Sequence, residues 1–153
     1  MPNARTTSVS LPRRSVTVAL VAAPYLPATI ESVLGQTFTD FGVIIADQTA
    51  DQPYLADGEF ETLFGAFELA GHPVRTLTNL PPRGMAQQRQ FLLERATAPL
   101  VHYLDDDILL GPTMLERMVG VIESDRCGFV GAEPHTERSR KRIEELMGAR
   151  MYN

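Results

Sequence analysis

The sequence is poor in the residues that mark several classes of protein. Cys127 is the one cysteine among 153 residues, so no internal disulfide can form and a disulfide-stapled secreted scaffold is excluded. The 14 basic residues are outnumbered by 19 acidic ones, and this balance lacks the basic surface of a nucleic-acid-binding protein. The most apolar stretch, Val16–Ile30, is too short for a transmembrane helix. With no convincing signal peptide either, we expect a cytoplasmic protein.

What remains is the composition of an ordinary globular domain. Hydrophobic residues make up 44% of the chain and charged residues 22%, and the length suits one domain with a sizeable core. Residues 1–15 have few large apolar side chains and are expected to form a disordered leader. We expect residues 16–131 to form the domain and residues 132–153 a charged helical tail.

Short apolar runs alternate with longer amphipathic ones along the domain. The predicted strands are Val16–Ala23, Phe41–Ala46, Val74–Thr78, Leu100–Leu104 and Cys127–Gly131. The predicted helices are Pro27–Gln36, Gly58–Ala70, Gly84–Thr97 and Pro112–Ser124. This alternation predicts an α/β fold with a mostly parallel sheet and helices on both faces. In such sheets, ligands bind outside the carboxyl ends of the strands, so the residues that follow each strand are the candidates for a binding site.

Three adjacent aspartates, Asp105, Asp106 and Asp107, follow the predicted strand Leu100–Leu104 directly. Adjacent carboxylates repel one another unless a cation compensates their charge. In extended chain, side chains two residues apart point the same way, so we expect Asp105 and Asp107 to converge while Asp106 faces elsewhere. Two carboxylates, with water and phosphate oxygens in the other positions, suit Mg²⁺ or Mn²⁺ bound with a nucleotide. The alternative is a solvated acidic loop, or charge placed before a helix N-terminus.

Two further groups of residues follow predicted strands. Asp47 stands at the end of the second strand, where an acid can accept hydrogen bonds from a ribose or a base; an Asx turn that closes the strand is the equal alternative. Gly84 opens the third helix, whose free N–H groups suit an anion, and Arg83 precedes it within reach of a phosphate. Arg89, on the same helix, is placed to pair with an aspartate at the strand end. A solvated arginine or a structural ion pair is the alternative for each.

These three features, in this order, resemble a family 2 glycosyltransferase of the GT-A fold. The run ESVLGQTFTDFGVIIAD resembles the first helix and second strand of that family, and RGMAQQRQFLLERAT resembles its Arg-Gly…Ala-Arg-Asn helix. The run LDDDILLGPTMLE resembles its DxD strand end and the helix that follows. The resemblance covers most of Val16–Val130.

The resemblance implies a metal-dependent transfer of a sugar from a nucleotide-diphospho-sugar donor to an unknown saccharide, lipid or protein acceptor. Asp105 and Asp107 would bind the Mn²⁺ or Mg²⁺ ion, which would stabilise the diphosphate as it leaves. Asp47 would contact the nucleoside of the donor. The full set of expected donor-binding residues is Asp47, Arg83, Arg89, Asp105 and Asp106.

Members of the family normally continue past the strand after the DxD motif, into a half with the acceptor site and the general base. No residue here matches that base, so the catalytic residue is unknown and the chain is interpreted as an N-terminal, apparently truncated, donor-binding part. A second interpretation is a nucleotide-binding module that depends on a partner or does not transfer sugar. A phosphoaspartyl receiver or a phosphatase fits less well, because the acids here follow strands two and four.

An incomplete sheet edge after Gly131 favours missing chain or a homo-oligomer.

Overall fold

A computed structural model describes residues 15–22, 25–50, 55 and 58–132. Nearly all of the predicted leader and of the predicted tail therefore lies outside the described residues. The strands are β1 (Val16–Val21), β2 (Phe41–Asp47), β3 (Val74–Thr78) and β4 (Leu100–Tyr103). The helices are α1 (Leu26–Leu34), α2 (Gly58–Leu69), α3 (Met85–Leu93) and α4 (Met114–Asp125).

The four strands form one parallel sheet in the order β3-β2-β1-β4. Val16 of β1 is in register with Phe41 of β2 on one side and with Leu100 of β4 on the other. The chain thus winds from β1 to β2 and β3, and then returns across β1 to place β4 on its far side. The direction of winding reverses between β1 and β4. This arrangement confirms the predicted α/β fold with a parallel sheet.

Helices cover both faces of the sheet, as the continuous apolar strands predict. On one face, the ring of Phe41 lies edge-on to Phe67 of α2, with 6.4 Å between ring centroids, and stacks on His72 at 3.9 Å. Helix α1 packs beside α2 on this face. Because successive side chains of a strand point to opposite faces, the neighbours of these residues face the other way. There, Ile44 and Ala19 pack against Leu92 of α3.

Helix α3 and strand β4 both end earlier than the sequence predicts. Helix α3 stops at Leu93 rather than Thr97, and the chain leaves it through a tighter turn, in which the amides of Arg95 and Ala96 donate to carbonyls three residues back. The amide of Ala98 instead donates to the Thr17 hydroxyl at 3.2 Å, which ties the start of β4 to β1. Strand β4 in turn ends at Tyr103, so the residues after it are free to turn.

The chain divides into two compact units, residues 1–117 and 118–153. In the second unit the predicted fifth strand, Cys127–Gly131, is wrong: these residues are described and form no strand. Helix α4 ends at Asp125, and Arg126 then adopts a left-handed φ of 51°. Two of the five residues that follow are glycines, which weaken strands, and Phe129 is 88% exposed. Among the described residues, no helix has the length and apolar character to cross a membrane.

Candidate functional site

The carboxyl ends of β1 and β4 border a small crevice that α3 covers from one side. The crevice is lined by Ala19, Val21, Met85, Arg89, Leu92, Tyr103, Leu104, Asp105 and Asp106. It lies where the winding of the sheet reverses, since β1 leads to one side and β4 returns on the other. Open α/β sheets bind their ligands at such a switch point, outside the carboxyl ends of the strands.

Arg89 of α3 and Asp105 form an ion pair at the mouth of this crevice. The Arg89 Nη2 atom lies 3.2 Å from Oδ1 of Asp105, and the two side chains are 47% and 54% exposed. Tyr103 supports the arginine, because its hydroxyl donates to the Arg89 carbonyl at 3.2 Å and its ring centroid lies 5.9 Å from the guanidinium. The pairing expected for Arg89 is therefore present. Because both side chains are about half exposed, both charged groups remain accessible to a ligand.

The three aspartates lie in a turn, which we term the acidic turn, residues 105–108. The amide of Ile108 donates to the Asp105 carbonyl at 3.4 Å, and the Thr29 hydroxyl donates to the Asp106 carbonyl. The expectation that extended chain aligns Asp105 with Asp107 is wrong in its premise, because β4 has already ended at Tyr103. Asp105 and Asp107 are nevertheless both exposed, whereas Asp106 is half-buried.

The carboxylate oxygens of the acidic turn suit a hard divalent cation that is shared with a ligand. Asp105 contacts Arg89, and the Asp107 carboxylate makes no hydrogen bond or ion pair within the described part of the chain. No group of three or more metal-ligating side chains occurs among those same residues. Two carboxylates at most are thus available here. Mg²⁺ and Mn²⁺ accept such a set when water and phosphate oxygens complete the coordination, so the residues present fit the ion.

Asp47, at the end of β2, has a different environment. It is 3% exposed, and its Oδ1 atom accepts a hydrogen bond from the Thr49 amide at 2.8 Å. Its Oδ2 atom lies 3.5 Å from the Leu55 amide, and its carbonyl accepts from the Asn79 amide at 2.9 Å. The Asx turn that was the alternative for Asp47 is therefore present. Strand β1 lies between β2 and β4, which separates Asp47 from Asp105 by about 10 Å across the sheet.

Arg83 lies near the end of β2 rather than beside the acidic turn. Its backbone amide donates to Oε1 of Gln48 at 2.9 Å, and its side chain is exposed. Gly84 is the N-cap of α3, with extended φ and ψ of −63° and 162° and no side-chain cap. The first N–H groups of α3 are left without a capping side chain, as the sequence predicts. The candidate residues therefore form two groups, Arg89 with Asp105 and Arg83 with Asp47.

The sequence interpretation missed side chains that build this edge of the sheet. Tyr103 contacts Arg89 through its hydroxyl and its ring. The alternation of side chains along strand Leu100–Tyr103 could have placed Tyr103 on the face of the sheet that α3 covers. Gln88 is 1% exposed, and its Oε1 atom accepts a hydrogen bond from the side-chain Nδ2 group of Asn79. That contact joins α3 to the loop after β3. It has no sequence signal, because the two residues belong to separate elements that only the fold brings together.

A sequence model described as glycosyl transferase family 2 matches residues 16–149. The chain belongs to glycosyl transferase family 2. The match spans all three motif blocks of the sequence, so the resemblance they carry is confirmed. No curated protein matches the sequence.

Several solved structures share the fold of this family 2 chain. TarS of S. aureus superposes with a TM-score of 0.59 and 14% identity, over 78% of this chain and 23% of that one. A 1–349 form of TarS in complex with UDP superposes with a TM-score of 0.59 and 13% identity, over 78% of this chain and 38% of that one. The mannosyltransferase PcManGT from Pyrobaculum calidifontis, in complex with GDP-Man and Mn²⁺, has a TM-score of 0.55 and 19% identity, over 76% of this chain and 33% of that one. These likenesses establish the GT-A fold, and the chain spans less than two fifths of each of these proteins.

Proposed function

We propose that this chain is the donor-binding part of an enzyme that transfers a sugar from a nucleotide-diphospho-sugar, with Mn²⁺ or Mg²⁺ at the diphosphate. The observation that carries the proposal is the ion pair of Arg89 with Asp105 at the switch point of the sheet. It joins two of the three family motif blocks at the edge where this kind of sheet binds ligands. The matches to a UDP complex and to a GDP-Man and Mn²⁺ complex of the same fold support it.

The acidic turn and α3 supply opposite charges to the diphosphate end of the donor. Asp105 and Asp107 contribute carboxylate oxygens to the cation, which when bound stabilises the negative charge on the departing diphosphate. Arg89 orients Asp105 through their ion pair and adds a positive charge beside the phosphates. Nearer the end of β2, where the Arg83 amide contacts Gln48, Arg83 and the uncapped first N–H groups of α3 add a second anion-binding element. The half-buried Asp106 completes the turn at this end of the donor.

The end of β2 forms the nucleoside end of the proposed site. Asp47 holds the loop at Gln48 and Thr49 through the hydrogen bond of its carboxylate to the Thr49 amide. Gln48 in turn holds the backbone of Arg83. A nucleotide laid across the end of β1 would thus meet the loop that Asp47 fixes on one side and the acidic turn on the other. We assign no general base to this chain.

Thermal unfolding of the full 153-residue chain tests the proposal. It is measured with UDP, GDP or TDP, each with and without MnCl₂. Ligand at one hundred times its dissociation constant adds about 2.7 kcal/mol to the free energy of unfolding. For a domain of this size that raises the midpoint by roughly 5–10 °C. We expect such a shift with one of the nucleotides, and only when Mn²⁺ is present.

Two matched variants locate the effect. Asp107→Asn removes one charge from the acidic turn and is expected to abolish the Mn²⁺-dependent shift. Asp40→Asn makes the same change at an exposed residue before β2, at the opposite edge of the sheet, and is expected to leave the shift intact. An equal shift in the wild type and in Asp107→Asn would contradict the site, and no shift with any nucleotide would contradict the function.

A further inference from the structure

Three polar side chains of helix α1 and its C-terminal end face the segment that carries the acidic turn. Thr29, Ser32 and Gln36 are spaced three and four residues apart, so they lie on one side of the helix. We term them the α1 row. The segment they face, residues 105–113, belongs to no helix or strand. Its backbone N–H and C=O groups must therefore find partners outside regular secondary structure.

The first two members of the α1 row bind the acidic turn and the residues just after it. The Thr29 hydroxyl donates to the carbonyl of Asp106. The Ser32 hydroxyl accepts from the amide of Leu110 at 3.0 Å, and donates to the Thr29 carbonyl at 2.7 Å. The order of these contacts along α1 is the same as their order along the segment.

Gln36 binds the far end of the segment and the beginning of α4. Its Nε2 group donates to the carbonyl of Gly111 at 2.8 Å and to that of Ser32 at 3.0 Å. Its Oε1 atom accepts from the amide of Leu115 at 3.0 Å, one of the first N–H groups of α4, which have no partner within their own helix. The Gln36 side chain thus makes three hydrogen bonds.

The contact of the Leu115 amide with Gln36 is buried, and the other contacts of the α1 row are partly buried. Thr29 is 1% exposed and Gln36 is 8% exposed, and Leu110 and Leu115 are buried beside them. Water cannot readily replace a hydrogen bond that is lost in such a place. The segment therefore has one buried side fixed by α1, while the carboxylates of Asp105 and Asp107 remain exposed on it.

We propose that the α1 row positions the acidic turn for the cation and the donor, and that Thr29 has the largest effect on ligand binding. This inference rests on the proposed function. The carbonyl that Thr29 holds belongs to the peptide group joining Asp106 to Asp107, so the hydroxyl sets the orientation of that peptide. Gln36 holds the segment at Gly111 and Leu115, several residues further along. Thr29, Ser32 and Gln36 are positioning residues, because they act through the turn.

The inference predicts opposite rankings for ligand affinity and for stability. Residues that orient metal ligands change metal affinity by about 10–100-fold when they are replaced. Thr29→Val, which keeps the shape but removes the hydroxyl, should weaken Mn²⁺-dependent nucleotide binding about tenfold. Ser32→Ala should weaken it less, and Gln36→Met least. Gln36→Met should lower the unfolding temperature most, because it removes three hydrogen bonds of a buried side chain at once.

The affinity is measured on the full chain by titrating MnCl₂ in the presence of UDP or GDP and following the electron paramagnetic resonance signal of free Mn²⁺. The temperature is kept well below the unfolding midpoint of every variant. Thr29→Ser retains a hydroxyl and should restore most of the affinity. Thr62→Val is the matched control, since the exposed Thr62 hydroxyl bonds the Gly58 carbonyl of its own helix and no other group among the residues that the structure describes. It should bind like the wild type.

A second measurement needs no ligand. Amide hydrogen exchange of residues 105–111 in the free chain should be faster in Thr29→Val and unchanged in Thr62→Val. If Thr29→Val does not fold, Ser32→Ala is the variant in both measurements, with a smaller expected loss of affinity and faster exchange at Leu110.

The outcomes separate the inference from the function on which it rests. If the wild type binds the nucleotide and the affinity of Thr29→Val is within twofold of the wild-type affinity, the inference alone is overturned. The same holds if the variants rank in the same order by loss of affinity and by loss of unfolding temperature. Unchanged amide exchange in Thr29→Val would do the same. A wild-type chain that binds neither nucleotide with Mn²⁺ would overturn the proposed function, and the role of the α1 row in ligand binding with it.

Discussion

Asp47 and Asp105 occupy equivalent places in the sheet and have opposite environments. Each stands at the carboxyl end of a parallel strand, on either side of β1. Asp47 is 3% exposed and accepts from the Thr49 amide at 2.8 Å, whereas Asp105 is about half exposed and its partner is the half-exposed guanidinium of Arg89. An acidic residue after a strand can therefore either hold the backbone of the following turn or remain accessible to a ligand. Access to water and the supply of backbone donors decide between the two.

The largest expected difference between the two acids is in stability. Asp47→Ala leaves the Thr49 amide without its buried acceptor, and a loss of about 2–3 kcal/mol in the free energy of unfolding is expected. Asp105→Ala removes an exposed ion pair and should cost about 0.5 kcal/mol or less. Urea denaturation of both variants measures the difference. Equal losses would show that the burial of Asp47 does not have the structural role assigned to it.

Ligand binding should reverse that order. Asp105→Asn should weaken the Mn²⁺-dependent affinity for UDP or GDP about tenfold, or about 1.4 kcal/mol, because a ligand oxygen loses its charge. Isothermal titration calorimetry gives the constant for each variant. Asp40→Asn, at the other edge of the sheet, is the control and should bind normally. Unaltered affinity in Asp105→Asn would place the donor elsewhere.

The ion pair itself should contribute little and respond to salt. Arg89→Met keeps the length of the side chain and removes its charge, so the free energy of unfolding should fall by about 1 kcal/mol or less. The difference from the wild type should shrink further in 1 M NaCl, where exposed charges are screened. Unfolding at low and high salt measures it. A large loss that persists in high salt would mean that Arg89 acts through packing.

The smallest expected effect concerns His102, in the strand that leads to the acidic turn. Burial lowers the pKa of His102, so the folded chain disfavours the charged imidazole. The unfolded chain then binds more protons below about pH 6.5, and the free energy of unfolding falls as the pH falls through that value. His102→Gln should reduce this slope between pH 5 and pH 7. An identical slope in the variant would contradict the assignment.

Much of the fold could be predicted because its signals are local. The runs Val16–Val21 and Phe41–Asp47 are apolar and rich in β-branched residues, and the structure makes them the two central strands. The contact of Arg89 with Asp105 was also predictable, since the family motifs place one on the third helix and the other after the fourth strand. Patterns within one element, and rules on which strand ends meet, were sufficient for both.

The errors and omissions arise where distant residues decide the structure. Cys127–Gly131 has the apolar character of a strand, but a strand also needs a neighbour for its backbone hydrogen bonds. The acidic turn is held in part by Thr29, 77 positions away from Asp106, which no local pattern reveals. The environment of Asp47 likewise includes a residue beyond its own turn, because the Leu55 amide lies 3.5 Å from its carboxylate.

The most direct test of the account is to map where a nucleotide binds. Amide chemical shifts of the ¹⁵N-labelled full chain are compared with and without MgCl₂ and UDP or GDP. The account predicts shifts in residues 85–89 and 104–110, beside the crevice, and none in residues 71–75, at the opposite edge of the sheet. Shifts confined to that opposite edge, or no shifts with either nucleotide, would contradict a donor site at the acidic turn.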